Sequence, residues 1–89
     1  GDIVTITGAQ DYAEVTTISQ RRHLVRLSLG EFEQRLPADE FVRIHRSIIV
    51  NLRHLDRAEP AGSGRMTLHL SNGQSVEASR TGARSLRER

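Results

Sequence analysis

The sequence predicts a mainly β domain, an elongated arrangement of small antiparallel sheets and hairpins with one short helix at about residues 29–36. Three observations favour this fold class. Six or seven short segments carry apolar residues at alternating positions, and clusters of glycine, proline and polar residues separate them. Only one segment carries apolar residues at helical spacing. Strand and helix patterns do not alternate along the chain, so a parallel sheet is not expected.

The residue pattern in the first third of the chain predicts three strands. Residues 2–8 are rich in β-branched side chains and end at a glycine, and residues 12–18 alternate and carry several threonines. Residues 24–29 place three apolar side chains on one face. The polar stretches 8–11 and 19–23 fit a turn and the tip of a hairpin, respectively.

One helix is predicted, where the spacing of apolar residues changes from alternation to helical spacing. Leu29, Phe32 and Leu36 stand at i, i+3 and i+7, which is helical spacing. Ser28 and Glu31 form an S-x-x-E capping box before it, and a proline closes the far end. Two helical turns are too short to be stable alone, so we expect Phe32 and Leu36 to pack on a sheet.

The segment "FVRIHRSIIVNL", residues 41–52, contains an arginine where a strand pattern requires an apolar residue. Counted in twos, Arg46 shares a face with Val42, Ile44, Ile48, Val50 and Leu52. Burying an unpaired guanidinium would cost several kcal/mol, so the strand must break there. We expect two strand segments joined by an exposed corner, His45-Arg46-Ser47, which we call the first corner.

Residues 65–80 predict a hairpin that ends in a second exposed corner. A three-residue loop at 71–73, with Gly73 left-handed, is favoured because it sets Leu68 opposite Val76 rather than opposite an acid. In this register Arg80 lies opposite Gly64, in the predicted loop 60–64. Ser79-Arg80, the second corner, directly follows the last strand, and Arg84 and Arg87 continue at helical spacing.

Composition limits the classes of function. All 13 basic residues are arginines, and residues 41–89 hold nine of them against four acids, whereas residues 1–40 hold four against seven. A basic half on a globular domain favours a polyanionic partner. The chain has no cysteine, which excludes disulfides and thiolate metal sites. It has no apolar run of a membrane span's length and no signal-peptide pattern, and its start at Gly1-Asp2 predicts a segment of a longer protein.

The two corners leave two interpretations open. An arginine fork matches phosphate oxygens or the O6/N7 edge of guanine, and serine and histidine add donors to phosphate. Alternatively, both arginines pair with acids such as Glu77, Asp39 or Glu40 and only hold loops together.

Rival classes of function find less support. An enzyme is not expected, because His45 and Ser47 have no orienting acid nearby and no phosphate-binding glycine loop occurs. The four histidines show no ligand spacing, so neither a metal nor another cofactor is predicted. RNA-binding modules usually stack bases on aromatic side chains, and this chain has three. A non-catalytic protein-interaction module stays open, because a hairpin edge can accept an added strand.

Two segments of the chain resemble a known family. The block "FVRIHRSIIVNLRHL" and the later "GRMTLHLSNGQSVEASR" are similar to the hallmark segments of LytTR-type DNA-binding domains of bacterial transcription regulators. That pattern is a phenylalanine-led RxHRSxIVN block followed by a hairpin that ends in Ser-Arg. The helix before the block and the loop Gln10-Asp11-Tyr12 also fit, so the resemblance covers residues 1–89 as a single domain.

The resemblance implies duplex-DNA binding through loops that enter successive major grooves of bent DNA. Carried over by motif position, the loop at 10–13, the first corner and Arg80 become contact sites. We expect Arg46 and Arg80 at base edges, and Arg84 at phosphate. The remaining expected contact residues are Gln10, Tyr12, Ala13, His45, Ser47 and Ser79. For the histidine and the two serines, holding their own turns is the alternative, and for Tyr12 it is a place in the core.

The resemblance further implies a longer, cytoplasmic regulator. An upstream sensor, receiver or membrane domain would control the DNA-binding domain, and a membrane domain would tether it to the inner membrane. Family members act as pairs on repeated sites, so a homodimer on DNA is expected.

Overall fold

The computed structural model describes residues 2–89 and confirms the mainly β fold. Its strands form two antiparallel sheets. The five-stranded sheet has the order β3-β2-β1-β5-β4 and the three-stranded sheet the order β6-β7-β8. The elements are β1 Ile3–Ala9, β2 Tyr12–Thr17, β3 Arg22–Val25, α1 Leu29–Arg35, β4 Phe41–His45, β5 Ile48–Asn51, a 3-10 helix Leu52–His54, β6 Leu55–Gly62, β7 Arg65–Leu70, β8 Ser75–Ala78 and α2 Arg80–Arg87.

Helix α1 covers one face of the five-stranded sheet, as its spacing predicted. Ser28 caps it in an extended conformation, and the capping box with Glu31 is complete: the Ser28 oxygen accepts from Glu31 N–H over 3.2 Å, and the Glu31 carboxylate accepts from Ser28 N–H over 3.2 Å. Leu29 and Phe32 are buried among side chains of the three central strands. The buried members of this first core are Ile6, Ala13, Val15, Leu29, Phe32 and Ile49.

The three-stranded sheet and α2 cover the opposite face. This second core mixes residues from both sheets with one from the C-terminal helix, and its buried members are Val4, Val42, Ile44, Val50, Leu68, Leu70, Ala78 and Ala83. Strand β5 is therefore buried on both sides. Ile49 points into the first core and Val50 into the second, so this strand is a continuous apolar run.

Polar side chains join the two sheets at the end remote from the first corner. Asn72, in the β7–β8 turn, is 5% exposed; its Nδ2 donates to the Thr17 carbonyl over 3.1 Å and to Gln74 Oε1 over 2.8 Å. The same Gln74 oxygen accepts from Thr5 Oγ1 over 3.0 Å. The turn of one sheet is thereby bonded to β1 and β2 of the other.

The hairpin register is confirmed, and three local predictions differ from the structure. Leu68 pairs with Val76, and Gly73 has φ +92°. The β2–β3 turn closes earlier than predicted, because Thr17 N–H donates to the Arg21 carbonyl over 2.9 Å; Arg22 and His23 therefore belong to β3 rather than to the hairpin tip. Strand β3 ends at Val25 and not at residue 29, where α1 begins. Residues 60–62 extend β6, an edge strand that tolerates Pro60.

The C-terminal tail forms a second helix, which the predicted fold did not include. Its apolar content is low, but Gly82 and Ala83 are buried against β4 and Leu86 is half-buried. None of the helices in residues 2–89 is long and apolar enough to cross a membrane.

Candidate nucleic-acid interface

One end of the five-stranded sheet gathers the segments that the sequence singled out. β1 ends there beside the start of β5, because Gly8 N–H donates to the Ser47 carbonyl over 2.9 Å. Helix α1 begins at the same end, since a Cβ on Gly8 would lie 2.9 Å from Leu29 Cγ. We call this region the loop end; it comprises residues 8–13, 26–30 and 45–47.

The first corner consists of His45, the last residue of β4, and the two-residue turn that leads to β5. The strand breaks at Arg46, as predicted, and Arg46 is exposed, but His45 and Ser47 are half-buried rather than exposed. Ser47 N–H donates to His45 Nδ1 over 3.1 Å, and Ser47 Oγ lies 2.9 Å from the same nitrogen. Because Nδ1 accepts a backbone proton, the neutral ring carries its own proton on Nε2. His45 and Ser47 therefore hold the turn that presents Arg46.

A bulge in β4 brings the second corner to the first. The β4–β5 register shifts between Arg43 and His45, which leaves Ile44 as an extra residue. The Ile44 carbonyl accepts from Ser79 N–H over 2.9 Å and from Ser79 Oγ over 3.3 Å. The two corners are thus neighbours although 33 residues separate Arg46 from Ser79 in the sequence.

Ser79 also begins α2. Its Oγ accepts from Gly82 N–H over 3.1 Å, so it acts as the N-cap of the helix. This is the alternative considered for Ser79, a residue that holds its own turn. Arg80 follows as the first helical residue and is exposed.

The β6–β7 turn supports the stem of Arg80. Gly64 has φ +79°, and a Cβ built on it would lie 3.3 Å from Arg80 Cγ. The predicted placement of Arg80 opposite Gly64 is confirmed. A larger residue at position 64 would be strained and would also push against the arginine stem.

The two corners line one concave surface. It lies between α1, the end of β4 and the start of α2, and its lining residues are Glu33, Arg43, His45, Arg46, Ser79, Thr81 and Gly82. Sequence reasoning missed Glu33, Arg43 and Thr81 as neighbours of Arg46. The only signal for Arg43 was its place two residues before His45 in the same strand.

Within residues 2–89, neither Arg46 nor Arg80 forms an ion pair. Two of the three acids that the loop-holding interpretation named are engaged elsewhere, since Glu77 lies 3.4 Å from Arg65 and Glu40 lies 3.3 Å from Arg53; the third, Asp39, forms no ion pair with either arginine in the described residues. Both guanidinium groups therefore keep their donors available to a ligand.

The β1–β2 loop contributes exposed side chains from a third segment. Gln10 is exposed and adopts φ +51° at the turn. Tyr12 is 47% exposed, and the Arg26 guanidinium carbon lies 5.8 Å from its ring centroid, in the range of a cation–π contact. Tyr12 is therefore a surface residue and not a core residue.

Ala13 is 1% exposed in the first core, so its side chain is not available for the contact expected of it. Arg84 is exposed on α2.

Comparison with known proteins gives one family. The model of the LytTr DNA-binding domain matches residues 1–89. The sensory transduction protein LytT of Bacillus anthracis is 30% identical over 87 residues, and the transcriptional regulatory protein BtsR of Escherichia coli K12 is 31% identical over 87 residues. Each comparison covers 98% of this chain and 35% of the relative, so the chain spans about a third of the length of these proteins.

A solved structure has the same fold. The LytTr DNA-binding domain of a Bacillus cereus response regulator superposes with a TM-score of 0.89 at 30% identity, covering 98% of this chain and 79% of that one. The family model, the relatives and the fold agree. The chain belongs to the LytTr DNA-binding domain family, a non-enzymatic family whose members serve transcription regulation.

Proposed function

We propose that this domain binds duplex DNA sequence-specifically in bacterial transcription regulation, through the loop end and the second corner. The observation that carries the proposal is the pair of exposed arginines, Arg46 and Arg80, presented by neighbouring turns and free of acidic partners within the described residues. An arginine fork donates to the O6 and N7 of guanine in a fixed geometry. Family membership supports DNA as the ligand.

The shape of the domain supports insertion of loops rather than of a recognition helix. Helix α1 has only seven residues and packs Leu29 and Phe32 on the first core, and α2 is held against β4 through Gly82, so neither is placed as a free recognition helix. We propose that the exposed turns enter two successive major grooves, with the DNA bent between them.

We assign the roles of the residues from their hydrogen bonds and exposure. Arg46 and Arg80 read base edges. Gln10 and Tyr12 contact the sugar-phosphate backbone from the β1–β2 loop, and Arg84 contacts phosphate from α2. His45, Ser47 and Ser79 hold the two corners, and the remaining donor of His45, Nε2–H, is available to a phosphate oxygen.

The relatives support a proposal for the partners of the full protein. A sensory transduction protein and a transcriptional regulatory protein match this chain over about a third of their own length. We propose an upstream sensor, receiver or membrane domain as the controlling element, two copies on repeated DNA sites, and action on chromosomal DNA in the cytoplasm.

Selection from a random duplex library tests this function. We expect enrichment of a defined site, and we expect Arg46→Ala and Arg80→Ala each to cost about 1–3 kcal/mol of discrimination without loss of fold. Arg53→Ala is the matched control, because Arg53 is exposed and pairs with Glu40. Affinities at several salt concentrations and thermal melting give the readout. A library without an enriched site, or mutants that bind the selected site like the parent, would refute the proposal.

A further inference from the structure

We propose that Arg43, held by Glu33 of α1, is a positioning residue for Arg46 and thereby sets how strongly the domain discriminates between DNA sequences. The inference rests on the proposed function and adds a determinant of specificity that does not itself contact DNA.

Arg43 connects the first helix to the first corner. Its Nη1 donates to Glu33 Oε1 over 2.8 Å, and its Nη2 donates to the main-chain carbonyl of Arg46. One planar guanidinium thus joins a side chain on α1 to the backbone of the turn. A fork with two separate N–H groups is required for this bridge, which a lysine ammonium cannot reproduce in the same plane.

Arg43 is poorly placed to be a DNA ligand itself. Its side chain is 33% exposed, and within residues 2–89 its Nε is buried without a hydrogen-bond partner. The Glu33 carboxylate balances its charge at 2.8 Å. A buried donor without a partner costs free energy, so the position of the Arg43 side chain is locally unfavourable at Nε. The bridge to the turn accounts for the placement.

The bond from Arg43 Nη2 satisfies the one backbone acceptor of the turn, the Arg46 carbonyl, that no other described residue bonds. Ser47 N–H is engaged by His45 Nδ1, and the Ser47 carbonyl by Gly8 N–H. The carbonyl of Arg46 is held by Arg43 alone among the described residues. Fixing this carbonyl fixes the backbone torsion that directs the chain out of Arg46. Without it, the arginine fork would sample more orientations and lose the geometry that a base edge requires.

The charge of Glu33 allows a test in which electrostatics and positioning predict different results for the ratio of affinities for two duplexes. Glu33→Gln removes a negative charge near the interface, so electrostatics alone predicts tighter binding to every duplex. If Glu33 positions Arg43, the affinity for the selected duplex must instead fall relative to that for a random-sequence duplex. Glu40→Gln is the matched control, because Glu40 also pairs with an arginine, at 3.3 Å, but lies at the opposite end of β4.

The experiment measures the ratio of affinities for the library-selected duplex and a random-sequence duplex of equal length. We expect Glu33→Gln and Arg43→Lys to lower this ratio by about ten-fold, a coupling within the range for residues in contact, while Glu40→Gln leaves it unchanged. Arg43→Lys preserves the charge, so its affinity for the random duplex and its salt slope should equal those of the parent. Melting temperatures within a few degrees of the parent establish that each variant is folded.

A double-mutant cycle separates this inference from the proposed function. In an Arg46→Ala background, Glu33→Gln should cause no further loss of the ratio, because there is no longer an arginine to position. If Arg46→Ala lowers the ratio but Glu33→Gln and Arg43→Lys do not, the positioning role is wrong and DNA reading by Arg46 stands. If the losses add in full, Glu33 acts independently of Arg46 and the inference is also wrong. A library that enriches no site would overturn both.

Discussion

The contact between Gly82 and β4 determines how the two corners lie relative to each other. A Cβ built on Gly82 would lie 1.9 Å from the Ile44 carbonyl oxygen and 2.4 Å from its carbon. Real Cβ contacts essentially never fall under 3.0 Å, so Gly82→Ala would force α2 away from β4 by at least about 1 Å. The blocking atoms are backbone, which cannot rotate aside as a side chain could.

The expected cost follows from the contacts that this shift disturbs. Overpacking a tight interior typically costs about 1–3 kcal/mol. Moving the helix also weakens the Ser79–Ile44 bond, now 2.9 Å, which is worth about 1 kcal/mol, and it opens the packing of the fully buried Ala83. Alanine offsets up to about 1 kcal/mol through its helix propensity. The net destabilisation is about 2–3 kcal/mol.

Thermal and urea unfolding measure this effect, with Gly30→Ala as the matched control. For a domain of this size, 2–3 kcal/mol corresponds to a fall in Tm of about 10–20 °C. Gly30 is exposed in the first turn of α1, and its nearest neighbour for a new Cβ is Ser28 Oγ at 3.9 Å. The same substitution there should raise stability by about 0.4–1 kcal/mol, because it restricts the unfolded chain.

The pair of variants gives a clear criterion. Equal effects of the two substitutions, or a Gly82→Ala protein as stable as the parent, would show that α2 does not lie against the Ile44 backbone. The same variant should also lose affinity for the selected duplex, since Ser79 and Arg80 move relative to Arg46.

Two further predictions concern the rest of the domain. Asn72→Ala should lower the free energy of unfolding by about 2 kcal/mol in urea denaturation, because it removes bonds from a buried amide to Thr17 and Gln74; its affinity for the selected duplex should equal that of the parent, and a stable variant would contradict the role of Asn72 in joining the sheets. Arg84→Ala should weaken binding to all duplexes alike and reduce the slope of log affinity against log salt by about one; loss of site preference alone would contradict a phosphate contact.

The first corner and the hairpin register could be predicted because each has a large local cost behind it. An unpaired guanidinium cannot be buried among apolar residues, so Arg46 required a break in the strand. The wrong hairpin register would set Leu68 against an acid, so the register followed from pairing alone. The break in the strand at an exposed Arg46 and the pairing of Leu68 with Val76 confirm these two expectations, although His45 and Ser47 are half-buried.

Helix α2 and the proximity of the two corners could not be predicted from the sequence, because both depend on backbone contacts. The tail has few apolar residues, and its burial depends on Gly82, whose missing side chain leaves no pattern in the sequence. The bond from Ser79 N–H to the Ile44 carbonyl joins residues 35 positions apart and involves no side chain. The burial of Ala13 was missed for a related reason, since its place in the first core depends on α1 covering that face.

If Arg46 and Arg80 read base edges as proposed, stability and recognition lie on different atoms in this domain, and this separation explains why its free arginines are tolerated. Arg46 and Arg80 are solvated and form no ion pair within residues 2–89, so they add little to the free energy of folding. The atoms that orient them are backbone atoms of Ile44, the polar groups of Ser79 and the two terminal nitrogens of Arg43, all of which are engaged. Under the proposed function, substitution of either exposed arginine would therefore change the DNA sequence preference at little cost in stability. A substitution of Gly82, in contrast, would make a side chain collide with the Ile44 backbone and would therefore destabilise the domain.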